Sequence, residues 1–123
     1  MANTLAIEFP QFDALIAAIG LEAFKEKVRR AVRAECAVIL KDAWRRTPKQ
    51  TGTLRESIYQ RIVEESDTRM VVELGYTAPY AGRVHEDLSM SHRVGEAKFL
   101  EYAVQSAVPT FTANVAERVK RSR

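Results

Sequence analysis

Thr47-Pro48-Lys49-Gln50-Thr51-Gly52-Thr53-Leu54-Arg55-Glu56-Ser57-Ile58 is the stretch at which a helical pattern ends and a strand pattern begins. Pro48 has no backbone N–H to donate and pushes Thr47 toward extended backbone, so a helix arriving from the N-terminal side stops near Arg46. Gly52 accepts the positive φ that a sharp change of direction asks for. The hydroxyls of Thr47, Thr51 and Thr53 can bond backbone groups that a turn leaves unpaired. Leu54 is the first apolar residue after the turn and can anchor it to a core. Read from its residues alone, the stretch is a device that stops a helix and starts a strand.

Working back toward the N-terminus, Leu21, Phe24, Val28, Val32, Cys36, Ile39 and Ala43 step by three or four residues, and Leu40 and Trp44 widen the stripe. Lys25, Arg29, Arg30, Arg33, Lys41 and Arg45 occupy the other side. The pattern predicts an amphipathic helix over 21–46, about 39 Å long at 1.5 Å per residue. Before it, Leu5 to Phe9 alternates briefly and predicts a short edge strand ended by Pro10. Phe12, Leu15, Ile16 and Ile19 fall at helical spacing until Gly20 interrupts them.

Working forward, 57–64 and 69–76 read as two strands, with Met70, Val72, Leu74 and Tyr76 alternating against Arg69, Val71, Glu73 and Gly75. The polar Glu65-Ser66-Asp67-Thr68 between them predicts an antiparallel hairpin, within a segment that spans 53–76. Two strands alone are marginal, so this sheet must lie on the long helix. A short helix over 79–87 with Pro79 in its first turn follows. Residues 88–95 read as an exposed polar loop, expected to be mobile in the free chain and ordered by a docking neighbour. A last helix over 96–120 carries Phe99, Leu100, Ala103, Val104, Ala107, Val108, Phe111, Val115 and Val119 on its apolar face. Pro109 inside it removes the bond to the Gln105 carbonyl and predicts a kink or a break. The expectation is a single α+β domain over 1–123: a long amphipathic helix packed on a small antiparallel sheet, with a short helix and a kinked C-terminal helix.

The chain of 123 residues is 46% hydrophobic and 28% charged, ordinary values for a globular protein. No apolar run approaches the ~20 residues of a membrane span, and the start lacks the basic region of a signal peptide. Cys36 is the one cysteine, which excludes an internal disulfide and fits a reducing compartment. The net charge of +3 is unevenly spread: 21–46 holds eight basic and four acidic side chains, and 117–123 holds four basic and one acidic. Such a field attracts an acidic partner or a nucleic acid, or serves as a solvated helix face.

Catalytic chemistry has no foothold in the pattern. His85 and His92 with Glu86 and Asp87 form the one cluster of metal-ligand type, and their spacing does not match two histidines one helical turn apart. The glycines are scattered singly, and no serine sits in a nucleophile elbow. No cofactor or metal is expected.

The order of features carries more. A long helix leads to Thr47-Pro48-x-x-Thr51-Gly52-x-Leu54-Arg55-x-Ser57-Ile58, a hairpin ends at Gly75, and Tyr80-Ala81 precedes Val84-His85-Glu86. Gly95-Glu96-Ala97-Lys98-Phe99-Leu100-Glu101 then opens the terminal helix. This arrangement, over about residues 21–120, resembles the tailed-bacteriophage family of small tail-completion and head–tail joining proteins, also described as minor capsid or minor tail components. One departure is His85-Glu86-Asp87, where many relatives have an acidic-aromatic-glycine run.

The resemblance implies an α+β fold and a structural, non-enzymatic virion role in the neck between portal and tail, as a ring of identical copies. It implies synthesis in the host cytoplasm, other neck and tail proteins as partners, packaged DNA nearby, and no membrane. Thr47, Pro48, Thr51, Gly52, Leu54, Arg55, Tyr80, Ala81, Phe99 and Leu100 are its structural motif residues. The interface candidates are Arg83, His85, Glu86, Asp87, Leu88, Met90, His92 and Arg93, around the polar loop. Two other classes stay open: a nucleic-acid-binding protein using the basic helix and the tail residues Arg118, Lys120, Arg121 and Arg123, and a small enzyme using His85 and Glu86.

Overall fold

The computed structural model describes residues 2–46, 57–77 and 99–122. The elements are β1 (Ala2–Glu8), a 3-10 turn (Phe9–Phe12), α1 (Asp13–Ile19), α2 (Leu21–Arg46), β2 (Ile58–Glu65), β3 (Arg69–Tyr76) and α3 (Phe99–Arg121). The turn expected at 47–56, the short helix expected over 79–87, the loop expected at 88–95 and residues 96–98 lie outside the described residues.

The helix α2 has the bounds its periodicity predicts. Phe24, Val28, Ala31, Val32, Cys36, Ile39 and Ala43 are buried along one face. Gly20 separates α1 from α2 at φ 87°, ψ 153°, a region open almost only to glycine. Its N–H donates to the Ile16 carbonyl at 2.7 Å, and its own carbonyl accepts from Phe24 N–H at 3.0 Å. The chain therefore turns between two helices without stranding these backbone groups.

The sheet has three strands in the order β1-β3-β2, both pairings antiparallel. The expected hairpin is present, and the N-terminal edge strand is present too, starting earlier than its alternation suggests and pairing with β3. Leu5 and Ile7 of β1 point to the core together with Met70, Val72, Leu74 and Tyr76 of β3. Thr4, Ala6 and Glu8 point away from it. In β2 the register slips between Ile62 and Glu64, which leaves Val63 as a bulge residue with 45% exposure. The extra residue turns Glu64 to the outer side opposite Val71 and sets Glu65 opposite Met70, at the rim of the core side.

The core joins the inner sheet face, α2 and α3 through Leu100, Ala103, Val104, Phe111, Val115 and Val119. Phe9, Phe12 and Phe24 close one end: the Phe9 and Phe24 rings meet edge to face at 5.4 Å, and Phe12 tilts against Phe24 at 5.4 Å. Leu40 packs against this core, whereas Trp44, expected to widen the apolar stripe, is 45% exposed because it lies well round the helix from Ile39 and Ala43. Val108, placed on the apolar face of the last helix from its spacing, is 53% exposed.

The last helix does not break at Pro109, which sits inside one continuous α3. Gln105 and Pro109 are both exposed, so solvent can satisfy the carbonyl that loses its donor. The missing bond is thereby cheap enough for the buried stripe on either side to hold the helix together.

Removing the Phe24 ring should create a cavity where three aromatic rings meet. Phe24→Ala should lower unfolding stability by about 3–5 kcal/mol in urea titrations at unchanged native circular dichroism. A loss under about 1 kcal/mol would contradict this packing.

Candidate interaction surface

Three polar seams fix the described elements to one another. The first joins α2 to the hairpin, and its residues on α2 recur every fourth position, the spacing that keeps them on one face. Lys25 Nζ donates to Asp67 Oδ1 at 3.0 Å. Arg29 reaches Glu65 with Nη2 at 2.5 Å and Nε at 3.0 Å, and also pairs with Glu26. The Arg33 carbonyl accepts from Gln60 Nε2 at 3.2 Å. Lys25 and Arg29, expected on a solvated face, thus clamp the sheet to the helix. The bulge at Val63 helps to place Glu65 within reach.

The second seam crosses the outer face of the sheet. Tyr59 Oη donates to Glu73 Oε1 at 2.6 Å, and Arg61 Nε reaches the same oxygen at 3.0 Å. Arg69 on the central strand lies between Glu64 of β2, at 3.0 Å, and Glu8 of β1, at 3.7 Å. This face is therefore charged and matched rather than apolar.

The third seam joins the two long helices. Arg118 Nε donates to Glu35 Oε1 at 2.7 Å. Lys27 Nζ donates to the Ser122 carbonyl at 3.0 Å, satisfying an acceptor at the end of α3. Beside it, a groove of about 310 Å³ runs between the helices, lined by Val38, Ile39, Ala103 and Ala107 among others.

Titration follows these contacts. The Arg29 hydrogen bond holds the Glu65 carboxyl below its ordinary value. The Tyr59 hydroxyl, with Arg61 next, does the same for Glu73, and the shared bond raises the Tyr59 phenol. The hydrogen bond to Asp67 raises Lys25. Burial pushes the Cys36 thiol up to about 12, so the folded chain holds it as an inert core group rather than a nucleophile.

The sequence-derived candidates divide sharply. Arg83, His85, Glu86, Asp87, Leu88, Met90, His92 and Arg93 lie outside the described residues, as do Thr47, Pro48, Thr51, Gly52, Leu54, Arg55, Tyr80 and Ala81. Of the motif residues, Phe99 opens α3 and Leu100 is fully buried under the sheet and α2. Among the described residues no group of three or more His, Cys, Asp or Glu side chains could hold a metal, and no helix is long and apolar enough to cross a membrane. The three seams escape sequence reasoning because each pairs residues far apart in the chain. The fourfold spacing of Lys25 and Arg29, opposite an acidic turn, is the signal the sequence does carry.

Because Glu65 and Glu73 have depressed values when folded, their contribution is fully present above the unfolded carboxylate value of about 4.3 and is lost as pH falls below it. The urea midpoint should therefore drop between about pH 5 and pH 3. A Glu65→Gln, Glu73→Gln double variant should show a shallower drop; an identical pH slope in parent and variant would contradict the assignment.

A family model described as bacteriophage HK97-gp10, putative tail-component, matches residues 13–102. The matched segment holds α1, α2, β2, β3 and the start of α3, together with the stretches 47–58 and 80–101 on which the resemblance rests. No curated protein and no solved structure matches the chain. With well over half of its length matched, the chain belongs to the HK97-gp10-like family of bacteriophage tail components.

Proposed function

We propose that this chain is a structural virion protein of a tailed phage that completes the tail or joins head to tail, entering the neck as one copy in a ring and catalysing nothing. The family match carries the reading, because the motifs 47–58, 80–86 and 95–101 all fall within its span. A ring of identical copies needs two different patches on each copy, one complementary to the other. The loop 87–96, with Arg83, His85, Glu86, Asp87, Leu88, Met90, His92 and Arg93 around it, supplies one. The exposed face of the long helix, or the turn at 47–53, supplies the other. Around these patches the three polar seams brace the scaffold, as a part that transmits load between neighbours requires. The virion is then its site of action, after synthesis in the host cytoplasm, with no membrane step and no cofactor.

Deleting the gene should leave filled heads and separate or defective tails in electron micrographs of lysates. Charge reversal at Arg83 or Asp87 should weaken assembly while the isolated chain keeps its stability within about 0.5 kcal/mol. Normal infectious particles from the deletion, or purified virions without this protein, would overturn the reading.

A further inference from the structure

The two edges of the sheet differ in how they meet a further strand. At the β2 edge the register breaks at Val63, and the Gln60 side chain donates across to the Arg33 carbonyl. A bulge of this kind discourages an added strand. At the other edge, β1 pairs with β3 in unbroken register, carries no proline and no lysine, and has Glu8 at its end as its one charge. The alternation of an antiparallel ladder says which backbone groups β1 leaves over. Phe9 N–H donates to the Thr68 carbonyl at 2.6 Å, in the same register that sets Ile7 opposite Met70, Leu5 opposite Val72 and Asn3 opposite Leu74. Asn3, Leu5 and Ile7 therefore bond to β3, and the N–H and C=O groups of Thr4, Ala6 and Glu8 point out of the sheet. All three residues are exposed, and among the described residues no strand lies along that edge.

We propose that the β1 edge binds a second copy of this chain, strand to strand and antiparallel, about a two-fold axis at Ala6. In this register Ala6 faces Ala6 of the second copy, and Thr4 faces Glu8 of the second copy. Every outward N–H and C=O of these three residues then meets a partner. The one carboxylate of the strand meets a hydroxyl and not another carboxylate, so β1 is complementary to itself. On the inner face Leu5 lies across from Ile7 of the second copy, which carries the buried apolar row on from one sheet into the next. The flank below the edge is also apolar. Helix α3 packs under β1, while α2 packs under β2 and β3. Ala103, Ser106, Thr110 and Asn114 line the side of α3 toward α2. Val108, 53% exposed, lies on the opposite side, where a copy docked on β1 comes closest. Such a contact uses the same edge of both copies and closes at two. It is small, which places the dimer in the weak and transient class. It concerns the free chain and stands whether or not the ring reading does.

The test is sedimentation equilibrium of the full chain across micromolar concentrations. The average mass should rise from that of one chain toward that of two as concentration increases. Ala6→Pro removes the central outward N–H, which β3 does not use, and should leave a folded monomer by circular dichroism. Ala6→Glu and Ala6→Lys each set like charges opposite one another at the axis and should weaken dimerisation about fivefold or more. An equal mixture of these two should regain the dimer, because opposite charges then meet. The charge variants change an exposed side chain, so they keep the test decisive if Ala6→Pro does not fold. The mass of a single chain at every concentration would overturn the proposal. So would a dimer that neither charge variant weakens, or a mixture no more dimeric than its two components.

Discussion

Burial of one face of α2 is the constraint on which the rest of the structure depends. The three-stranded sheet is apolar on its inner face and must bury that face against another layer. The side chains from Phe24 to Ala43 supply that layer, and the same layer receives Leu100, Val104, Phe111 and Val115 from α3. A helix of 26 residues that packed on nothing would be marginal in water, so the dependence is mutual. The polar seams at the rim add little net energy each, but they fix which part of the sheet meets which turn of the helix.

That division of labour also partitions the charge. The side of α2 toward the hairpin spends Lys25 and Arg29 on Asp67 and Glu65, and the side toward α3 spends Glu35 on Arg118. The outward side is less committed: Arg30 has Glu26 at 3.9 Å, Arg33 lines a groove with Gln60 and Arg61 of β2, and Lys41 is exposed.

Much of this architecture is legible in the sequence where a local pattern dictates it. The bounds of α2 follow from its apolar period and from the break at Gly20, and the core side of β3 follows from strict alternation of Met70, Val72, Leu74 and Tyr76. Features that depend on distant partners are not legible. Nothing local announces that β1 pairs with β3, or that one extra residue at Val63 re-aims Glu64 and Glu65. The cost of Pro109 is lower than its mid-helix place suggests, because Pro109 and Gln105 both lie on the exposed side of α3, away from Leu100 and Phe111. For the functional surface, the basic character of the helix is evident from its residues, but which cations are spent internally emerges only from the folded contacts.

Native-state hydrogen exchange on the free chain tests the central dependence most directly. If the sheet owes its order to α2, amides of β3 and of the middle of α2 should exchange through the same slowest opening, with the same free energy and the same denaturant sensitivity. If β3 exchanged through a separate opening several kcal/mol cheaper while α2 stayed protected, the helix would be standing without the sheet, and the mutual dependence of helix and sheet would be contradicted.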